Sequence, residues 1–499
     1  MSVVVGLDIG TQSVKLLAYD AGSRGTLALY SQRLELIEGA DGSREQHAAW
    51  WIAAVRRCFA ALDDSLRARI VAIGVSGQQH GFVPLDAAGA VLAPAKLWCD
   101  TSSWRECGEI MAAVGGARQC VALAGNPLLA GYTASKLAWT RKYRPAVYRQ
   151  LATILLPHDY VNFWLTGECW MECGDASGTG WLDVRKRAWS EAMLAATDTD
   201  RDLLRCLPPL VDAHFSAPIT PAIADQLGLP HAVRVSAGGG DNMMAAIGTG
   251  NVAPGTLSVS LGTSGTLFAH ADHPVVDDDG LWAAFCSSTG GWLPLICTMN
   301  CTVATGRVAD VFNLDPSEGD TLVERTPPGA GGLSMLPFFN GERTPDLPSA
   351  HASLHGMTTE NFTRAHIFRA AMEGATYALC HGFDALRSAG LAFRAIRLTG
   401  GGANSAPWRQ MVADVFDLPV EMPAQAEGAA LGAALQALWA WRRHAGDTAD
   451  IAAVVHEHVA LDEARAAWPD ATHVQAYREP YRRFLEHLAV LQSAHAAAS

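Results

Sequence analysis

Two segments about half a chain apart share one design, and they restrict the possible fold more than any other feature of the sequence. Asp8-Ile9-Gly10-Thr11-Gln12-Ser13-Val14 follows the apolar run Val3-Val4-Val5-Gly6-Leu7, and Ser260-Leu261-Gly262-Thr263-Ser264-Gly265-Thr266 follows Leu257-Ser258-Val259. A second apolar run comes next in each case, Val14-Lys15-Leu16-Leu17-Ala18-Tyr19 and Thr266-Leu267-Phe268-Ala269. Each copy therefore reads as strand, Gly-Thr turn, strand. Glycine in such a turn accepts positive φ and lets backbone N–H groups approach an anion. Two such tips suit the phosphates of one nucleotide. The copies differ at one place, where the first has Asp8 and the second Ser260. A carboxylate beside a phosphate makes sense chiefly with a cation between them, so the first loop is expected to own a metal. That asymmetry points to phosphoryl transfer.

A chain of 499 residues is too long for one ordinary core and implies two large domains. Its 49% hydrophobic and 17% charged content is that of a globular protein. The net charge of −13 is spread without acidic or basic blocks, which argues against nucleic acid as a partner. The start Met1-Ser2-Val3-Val4-Val5-Gly6 lacks signal-peptide features, and no apolar run reaches the eighteen or so residues of a spanning helix. No membrane partner and a cytoplasmic location are expected, with the eleven cysteines reduced. Cys169/Cys173 and Cys297/Cys301 have a spacing that would put each pair on one helix face, but no histidines converge on them, so inert thiols are expected. The sequence does not fix the oligomeric state; a homodimer is compatible with it.

Strands are predicted at 3–9, 14–20, 25–33 and 70–76, with one amphipathic helix across 45–67. The order repeats after residue 254, with strands near 256–261, 266–270 and 292–298, helices near 302–312 and 360–388, and a strand at Ile396-Arg397-Leu398. Two α/β halves, 1–247 and 248–499, follow from this, with the break and a hinge near Gly248-Thr249-Gly250. The tail from about 471 reads as an Ala-rich helix.

No Gly-Lys dipeptide exists, so there is no P-loop, and no Gly-x-Gly-x-x-Gly opens a helix after the first strand. The glycines gather at strand ends instead. Gly238-Gly239-Gly240-Asp241-Asn242 follows the strand Val233–Ser236 and precedes a helix. Asp241 at this junction is either a helix cap or a general base for a hydroxyl nucleophile. Three glycines before it would leave room for a substrate against the backbone. Gly400-Gly401-Gly402-Ala403-Asn404 is either a tight strand-to-helix turn or a flat shelf for adenosine.

With these motifs the chain resembles the FGGY carbohydrate kinases, the xylulokinase branch above all. The resemblance runs from Asp8 to about Leu435. It includes Leu97-Trp98-Cys99-Asp100, Thr133-x-x-Lys136-Leu137-x-Trp139, Leu156-Pro157-His158-Asp159-Tyr160, Asp175-Ala176-Ser177-Gly178-Thr179 and Gly341-Glu342-Arg343-Thr344-Pro345. It implies an α/β fold of two ribonuclease-H-like, actin-like domains flanking a deep interdomain cleft. It also implies ATP as co-substrate with Mg²⁺, and a small-molecule sugar as acceptor. Asp241 and Asp8 become the catalytic carboxylates and the metal-side residues. Gly10, Thr11, Gln12 and Lys15, with Gly262, Thr263 and Ser264, are expected at the phosphates, and Gly401, Gly402 and Asn404 at the adenosine. Gln79 and His80 are expected at the sugar together with Asp241 and Asn242, with Trp98 and Asp100 as further candidates. Glycerol kinases carry an Arg-Glu pair in the loop Ser76-Gly77-Gln78-Gln79-His80-Gly81, and that pair is absent here. The implied reaction is phosphorylation of a ketopentose at its terminal hydroxyl, D-xylulose first. The alternatives are D-ribulose, L-ribulose or glycerol, or an actin- or chaperone-like ATPase.

Overall fold

The computed structural model describes residues 2–498. Strands β1 (Val3–Ile9), β2 (Ser13–Asp20) and β3 (Gly25–Arg33) form an antiparallel meander. Helix α1 (Ala48–Ala60) then crosses to β4 (Ile70–Gly77), which pairs with β1 in parallel. The helix predicted across 45–67 is shorter than expected and is followed by a separate turn of helix at Asp64–Arg67. Two further helices, α2 (Thr133–Tyr143) and α3 (Pro157–Thr166), precede β5 (Ser216–Pro218), β6 (Arg234–Ser236) and α4 (Asp241–Thr249). The sheet order is β5-β6-β4-β1-β2-β3, and Gly239–Gly240 adds a short pairing to β4. Alternate residues of β1 face opposite ways, as a strand demands. Val3, Val5, Leu7 and Ile9 pack with Trp51, Val55 and Phe59 of α1, whereas Val4 joins the core on the other face.

The second half repeats the pattern. Strand β7 (Thr256–Leu261) pairs antiparallel with β8 (Gly265–Ala269), which pairs with β9 (Trp292–Thr298). After α5 (Thr302–Phe312) and the long α6 (Arg364–Ser388), β10 (Ala395–Thr399) lies parallel to β7. Helix α7 (Ala406–Phe416) and β11 (Val420–Glu421) follow, giving the order β9-β8-β7-β10-β11. Asp8 pairs with Lys15 and Ser76 in the first sheet, and Ser260 pairs with Thr266 and Thr399 in the second. The two loops thus occupy equivalent places in their sheets, but the first hairpin is one residue longer at its tip, since Ile9 pairs with Val14 and Leu261 with Gly265.

The chain then leaves this order. Helices α8 (Gly428–His444) and α9 (Ile451–His458) pack with the first sheet, and α10 (Ala471–Ala498) belongs with the second half. One compact unit comprises Met1–Val252, Ala271–Pro294 and Glu427–Val459; the other comprises Ala253–His270, Leu295–Ala426 and Ala460–Ser499. A single cut at residue 248 therefore does not describe the packing. The reason is α8, whose Gly428-Ala429-Ala430-Leu431-Gly432-Ala433-Ala434 face lies on the backbone of β1, β4 and α4. A Cβ on Gly6 would sit 1.8 Å from the Ala430 carbonyl oxygen, and one on Gly74 2.0 Å from that of Ala433. Between the helices, a Cβ on Gly432 would lie 1.7 Å from the Met244 oxygen, and one on Gly248 1.9 Å from that of Gly428. Gly248 and Thr249 are accordingly the packed last turn of α4, and the expected linker or hinge is not there.

No disulfide joins any of the eleven cysteines among the described residues. Neither expected pair shares a helix face: Cys169 precedes a short strand while Cys173 opens a single helical turn, and Cys297 lies in β9 with Cys301 ahead of α5. No described helix is long and apolar enough to cross a membrane.

Gly432→Ala tests the packing of α8. Helix propensity alone favours alanine by about 1 kcal/mol. Overpacking against rigid backbone costs about 1–3 kcal/mol or more, so a net loss is expected. Urea denaturation should show a lower midpoint for the unit containing α8. An unchanged or raised midpoint would mean that the helices are not in backbone contact.

Candidate active site

Asp8 lies next to the end of β1, on the face that α8 covers. The Ser76 hydroxyl donates to its Oδ1 over 2.9 Å. Burial raises the Asp8 pKa, the Ser76 hydrogen bond and Lys15 pull it back, and Glu427 adds a smaller upward push. Lys15 is itself paired with Glu427 at 2.6 Å, at the start of α8. Glu427 was not legible as a site residue, because nothing in sequence ties it to the first loop.

The Gly10 turn is closed by a hydrogen bond from the Gly10 N–H to the Ser13 carbonyl, 3.0 Å. Neither Gly10 nor Gly262 adopts positive φ. Their requirement is space: a Cβ would lie 3.2 Å from the Ser13 oxygen in one loop and 3.1 Å from the Ser264 oxygen in the other. The Thr11 hydroxyl donates to Gln78 Oε1 and accepts from the Trp98 indole N–H, each at 3.0 Å. The Thr11 carbonyl accepts from Gln46 at 2.8 Å. Gln12 is exposed at the tip.

Asp241 is the first residue of α4, with Gly240 as the flanking cap residue. Its Oδ1 accepts from the Asn242 N–H at 2.8 Å and from Asn242 Nδ2 at 3.0 Å. Its Oδ2 accepts no hydrogen bond from the described residues. Burial pushes the Asp241 pKa up to about 7, the charges of Asp8 and Asp175 add to it, and the Asn242 bonds oppose it. The arrangement leaves one carboxylate oxygen for chemistry, more than a cap requires.

The glycines before Asp241 do not leave room for substrate as expected; protein side chains fill that space. A Cβ on Gly238 would meet His158 Cδ2 at 2.7 Å, one on Gly239 Ser288 Oγ at 2.4 Å, and one on Gly240 Gln79 Cγ at 2.7 Å. The run is thus threaded over a buried polar framework. Asn242 Nδ2 donates to Gln79 Oε1 at 2.9 Å, and the Gln79 amide in turn favours the ionised form of Asp175. Asp175 Oδ2 lies 2.7 Å from His158 Nδ1, and Asp159 Oδ1 lies 2.9 Å from His158 Nε2. Burial alone would lower the His158 pKa, but the two carboxylates outweigh it and hold the imidazolium well above its ordinary range. The His158 and Asp175 motifs were visible in sequence, but their joining through Gln79 was not.

His80 adopts φ +63°. Its ring stacks on Tyr132 with centroids 4.7 Å apart and contacts Phe285 at 5.7 Å. Trp98 is 38% exposed beside Thr11, as a wall residue would be. Asp100 is placed differently from expectation. It is fully buried, with Oδ1 accepting from the Ser102 N–H and hydroxyl and Oδ2 from the Arg44 N–H and Lys96 Nζ. A carboxylate offers about four acceptor positions, so none is left for a sugar hydroxyl.

In the other unit, the Gly262 and Thr263 carbonyls accept from the N–H groups of Thr302 and Cys301, which ties the second loop to the start of α5. Thr263 is exposed, and Gly262 and Ser264 are half-buried. Gly400 needs its positive φ of +86°, and a Cβ there would lie 2.6 Å from the Leu261 backbone. Gly401 is open, with nothing within 4 Å of an added Cβ. Gly402 is buried, and Asn404 Oδ1 accepts from Arg465 at 3.0 Å.

Magnesium usually keeps several waters and takes one or two protein carboxylates plus phosphate oxygens. Asp8 and Asp241 fit that demand, since burial raises both and the charge of Asp8 adds to the cost of ionising Asp241. No cluster of three or more His, Cys, Asp or Glu suited to a dedicated metal cage occurs among the described residues.

The N-terminal domain of the FGGY family of carbohydrate kinases matches residues 3–248, and the C-terminal domain matches 257–441. A xylulose kinase of Haemophilus influenzae is 41% identical over 98% of this chain and 99% of its own. One from Streptomyces coelicolor is 37% identical over 87% of each. The crystal structure of a Brucella ovis protein described as a xyloylose kinase superposes with a TM-score of 0.91 at 31% identity, covering 99% of this chain and all of that one. The two sheet-bearing units are those of the two-domain, actin-like ATPase fold, and the chain is a sugar kinase, with sugar and ATP as substrates, that belongs to the FGGY family of carbohydrate kinases.

Proposed function

We propose that the protein transfers the γ-phosphoryl group of ATP to the terminal hydroxyl of D-xylulose, giving D-xylulose 5-phosphate and ADP. The observation that carries the reading is the Asp241 carboxylate. One oxygen is fixed by Asn242 and the other has no hydrogen-bond partner among the described residues, beside the half-buried Asp8. The choice of D-xylulose is supported by the full-length similarity to xylulose kinases.

In this reading Asp241 Oδ2 accepts the proton of the hydroxyl as its oxygen bonds to the γ-phosphorus and the bond to the β-phosphate oxygen breaks. Phosphoryl transfer asks little covalent help from protein; it asks for placed groups and a charge-complementary site. Asn242 and Gln79 keep Asp241 from turning toward its own helix. Gln79 and His80 offer hydrogen-bonding groups to the sugar hydroxyls, and Trp98 walls the site. Gly10, Thr11 and Gln12 are read as phosphate residues of the first unit; in the second, Gly262, Thr263 and Ser264 are read as phosphate residues and Gly401, Gly402 and Asn404 as adenosine residues. Lys15 is held by Glu427 and acts on the phosphates through its charge. Asp8 and Asp241 would hold Mg²⁺ through its waters, and the ion when bound offsets phosphate charge.

Three outcomes follow. Asp241→Ala should lower kcat by about 10²–10⁴, the range for loss of a general base, with ATP affinity nearly unchanged. A variant keeping more than about a tenth of parental kcat would remove Asp241 from that role. Asp8→Asn should raise the Mg²⁺ concentration for half-maximal activity, and an unchanged titration would make the Asp8/Ser260 asymmetry purely structural. Across a panel of ketoses, polyols and aldoses, D-xylulose should lead in kcat/KM, with D-ribulose trailing roughly ten- to a hundredfold. Each buried polar group left unpaired by a wrong epimer costs about 1–3 kcal/mol. A lead for glycerol, L-ribulose or a hexulose would contradict the substrate but leave the kinase; no sugar-dependent ADP release would contradict both.

A further inference from the structure

Lys136 is fully buried, yet among the described residues its ammonium makes two hydrogen bonds, both to backbone carbonyls: His80 at 2.6 Å and Gly131 at 2.5 Å. A buried cation without a carboxylate in contact is expensive, and an apolar side chain would fill the same volume at lower cost. Its position therefore calls for a function. Burial pushes its pKa down to about 7, while the charges of Asp100 and Cys99 oppose the shift and Lys96 assists it. The His80 carbonyl receives a second donor, the Thr133 hydroxyl at 3.2 Å. His80 is in the left-handed region, which non-glycine residues populate sparsely and which persists only where surroundings over-determine it.

The first turn of α2 thus grips His80 at two points, its carbonyl by Thr133 and Lys136 and its ring by Tyr132. A third hold comes from the Gly178 carbonyl, 3.0 Å from Nδ1. A carbonyl can only accept, so Nδ1 carries a proton and donates. Gly178 must be glycine for this, since a Cβ would lie 2.0 Å from Nδ1.

We propose that Lys136 is a positioning residue for sugar recognition: with Thr133 it holds the His80 backbone left-handed and so fixes where the imidazole meets the ketose. The inference rests on the reading of His80 as a sugar contact. If the carbonyl is released, the backbone can relax toward ordinary φ, which would swing the ring off Tyr132. Misplacement by about 1 Å can cost on the order of a hundredfold in rate.

The test is a double-mutant cycle on the full-length protein with D-xylulose, ATP and Mg²⁺. Lys136→Met should lower kcat/KM for D-xylulose by roughly ten- to a hundredfold, mainly through the sugar KM, and leave the ATP KM within about twofold. Lys136→Gln, which keeps two donor hydrogens without the charge, should recover part of the loss. In a His80→Ala background, Lys136→Met should cost less than about threefold more, because there is no ring left to place. An undiminished loss in that background would overturn the inference while sparing the sugar contact. If His80→Ala alone leaves kcat/KM intact, the contact and the inference both fall. Should Lys136→Met not fold, Thr133→Val removes one donor at nearly constant volume. It should show the same selective rise in sugar KM, again absent beside His80→Ala; equal losses in both backgrounds, or no loss in the parent, would overturn the proposal.

Discussion

The backbone contact of α8 with β1, β4 and α4 is the constraint on which the active-site unit depends. Four glycines, Gly6, Gly74, Gly248 and Gly432, each face a carbonyl oxygen at a distance that no Cβ could occupy. Such closeness fixes the separation of elements more tightly than interdigitated larger side chains would, because backbone has no rotamers to yield. It also places the chemistry. Asp8 lies next to the end of β1, Ser76 next to the end of β4, Asp241 opens α4 and Glu427 directly precedes α8. The four elements locked together by glycine are those that carry or adjoin the charged groups of the candidate site.

Beneath Asp241 a second, polar layer does the fine placement. His158 between Asp159 and Asp175 is a buried charged trio, and such groups are worth little to stability beside an apolar core of equal volume. Their value here is directional. The Gln79 amide favours the ionised form of Asp175, Gln79 Oε1 accepts from Asn242, and the side chain and backbone of Asn242 together hold one oxygen of Asp241. The glycine run at 238–240 lets this framework come up directly under the carboxylate. The rotation that would satisfy Asp241 as an ordinary cap is thereby opposed, and its second oxygen accepts no hydrogen bond from the described residues.

Much of the fold was readable from sequence because it rests on local pattern. β1 and β3 match the predicted ranges residue for residue, and β2 and β4 differ from them by one residue. The repeat of strand, Gly-Thr turn and strand in the two loops was equally visible. What failed was whatever depends on a distant neighbour. The Ala/Gly-rich face of α8 carries no mark of the sheet it returns to, so the compact units looked contiguous. The glycines at 238–240 were read as room for a ligand because sequence does not show His158, Ser288 and Gln79 already there. Asp100 was a plausible sugar residue until Lys96, Arg44 and Ser102 proved to fill its four acceptor positions. In sequence Lys136 stands out only within its motif, since nothing local reveals that its ammonium reaches the carbonyl of His80.

The most direct measurement is a crystal structure of the protein with D-xylulose and a non-hydrolysable ATP analogue bound. A general base must lie within about 2.6–3.2 Å of the hydroxyl oxygen whose proton it takes. The account predicts the terminal hydroxyl of the ketose at that distance from Asp241 Oδ2, with the remaining hydroxyls at Gln79 and His80. A sugar bound with its terminal hydroxyl away from Asp241, or seated outside the Gln79–His80 loop, would contradict it.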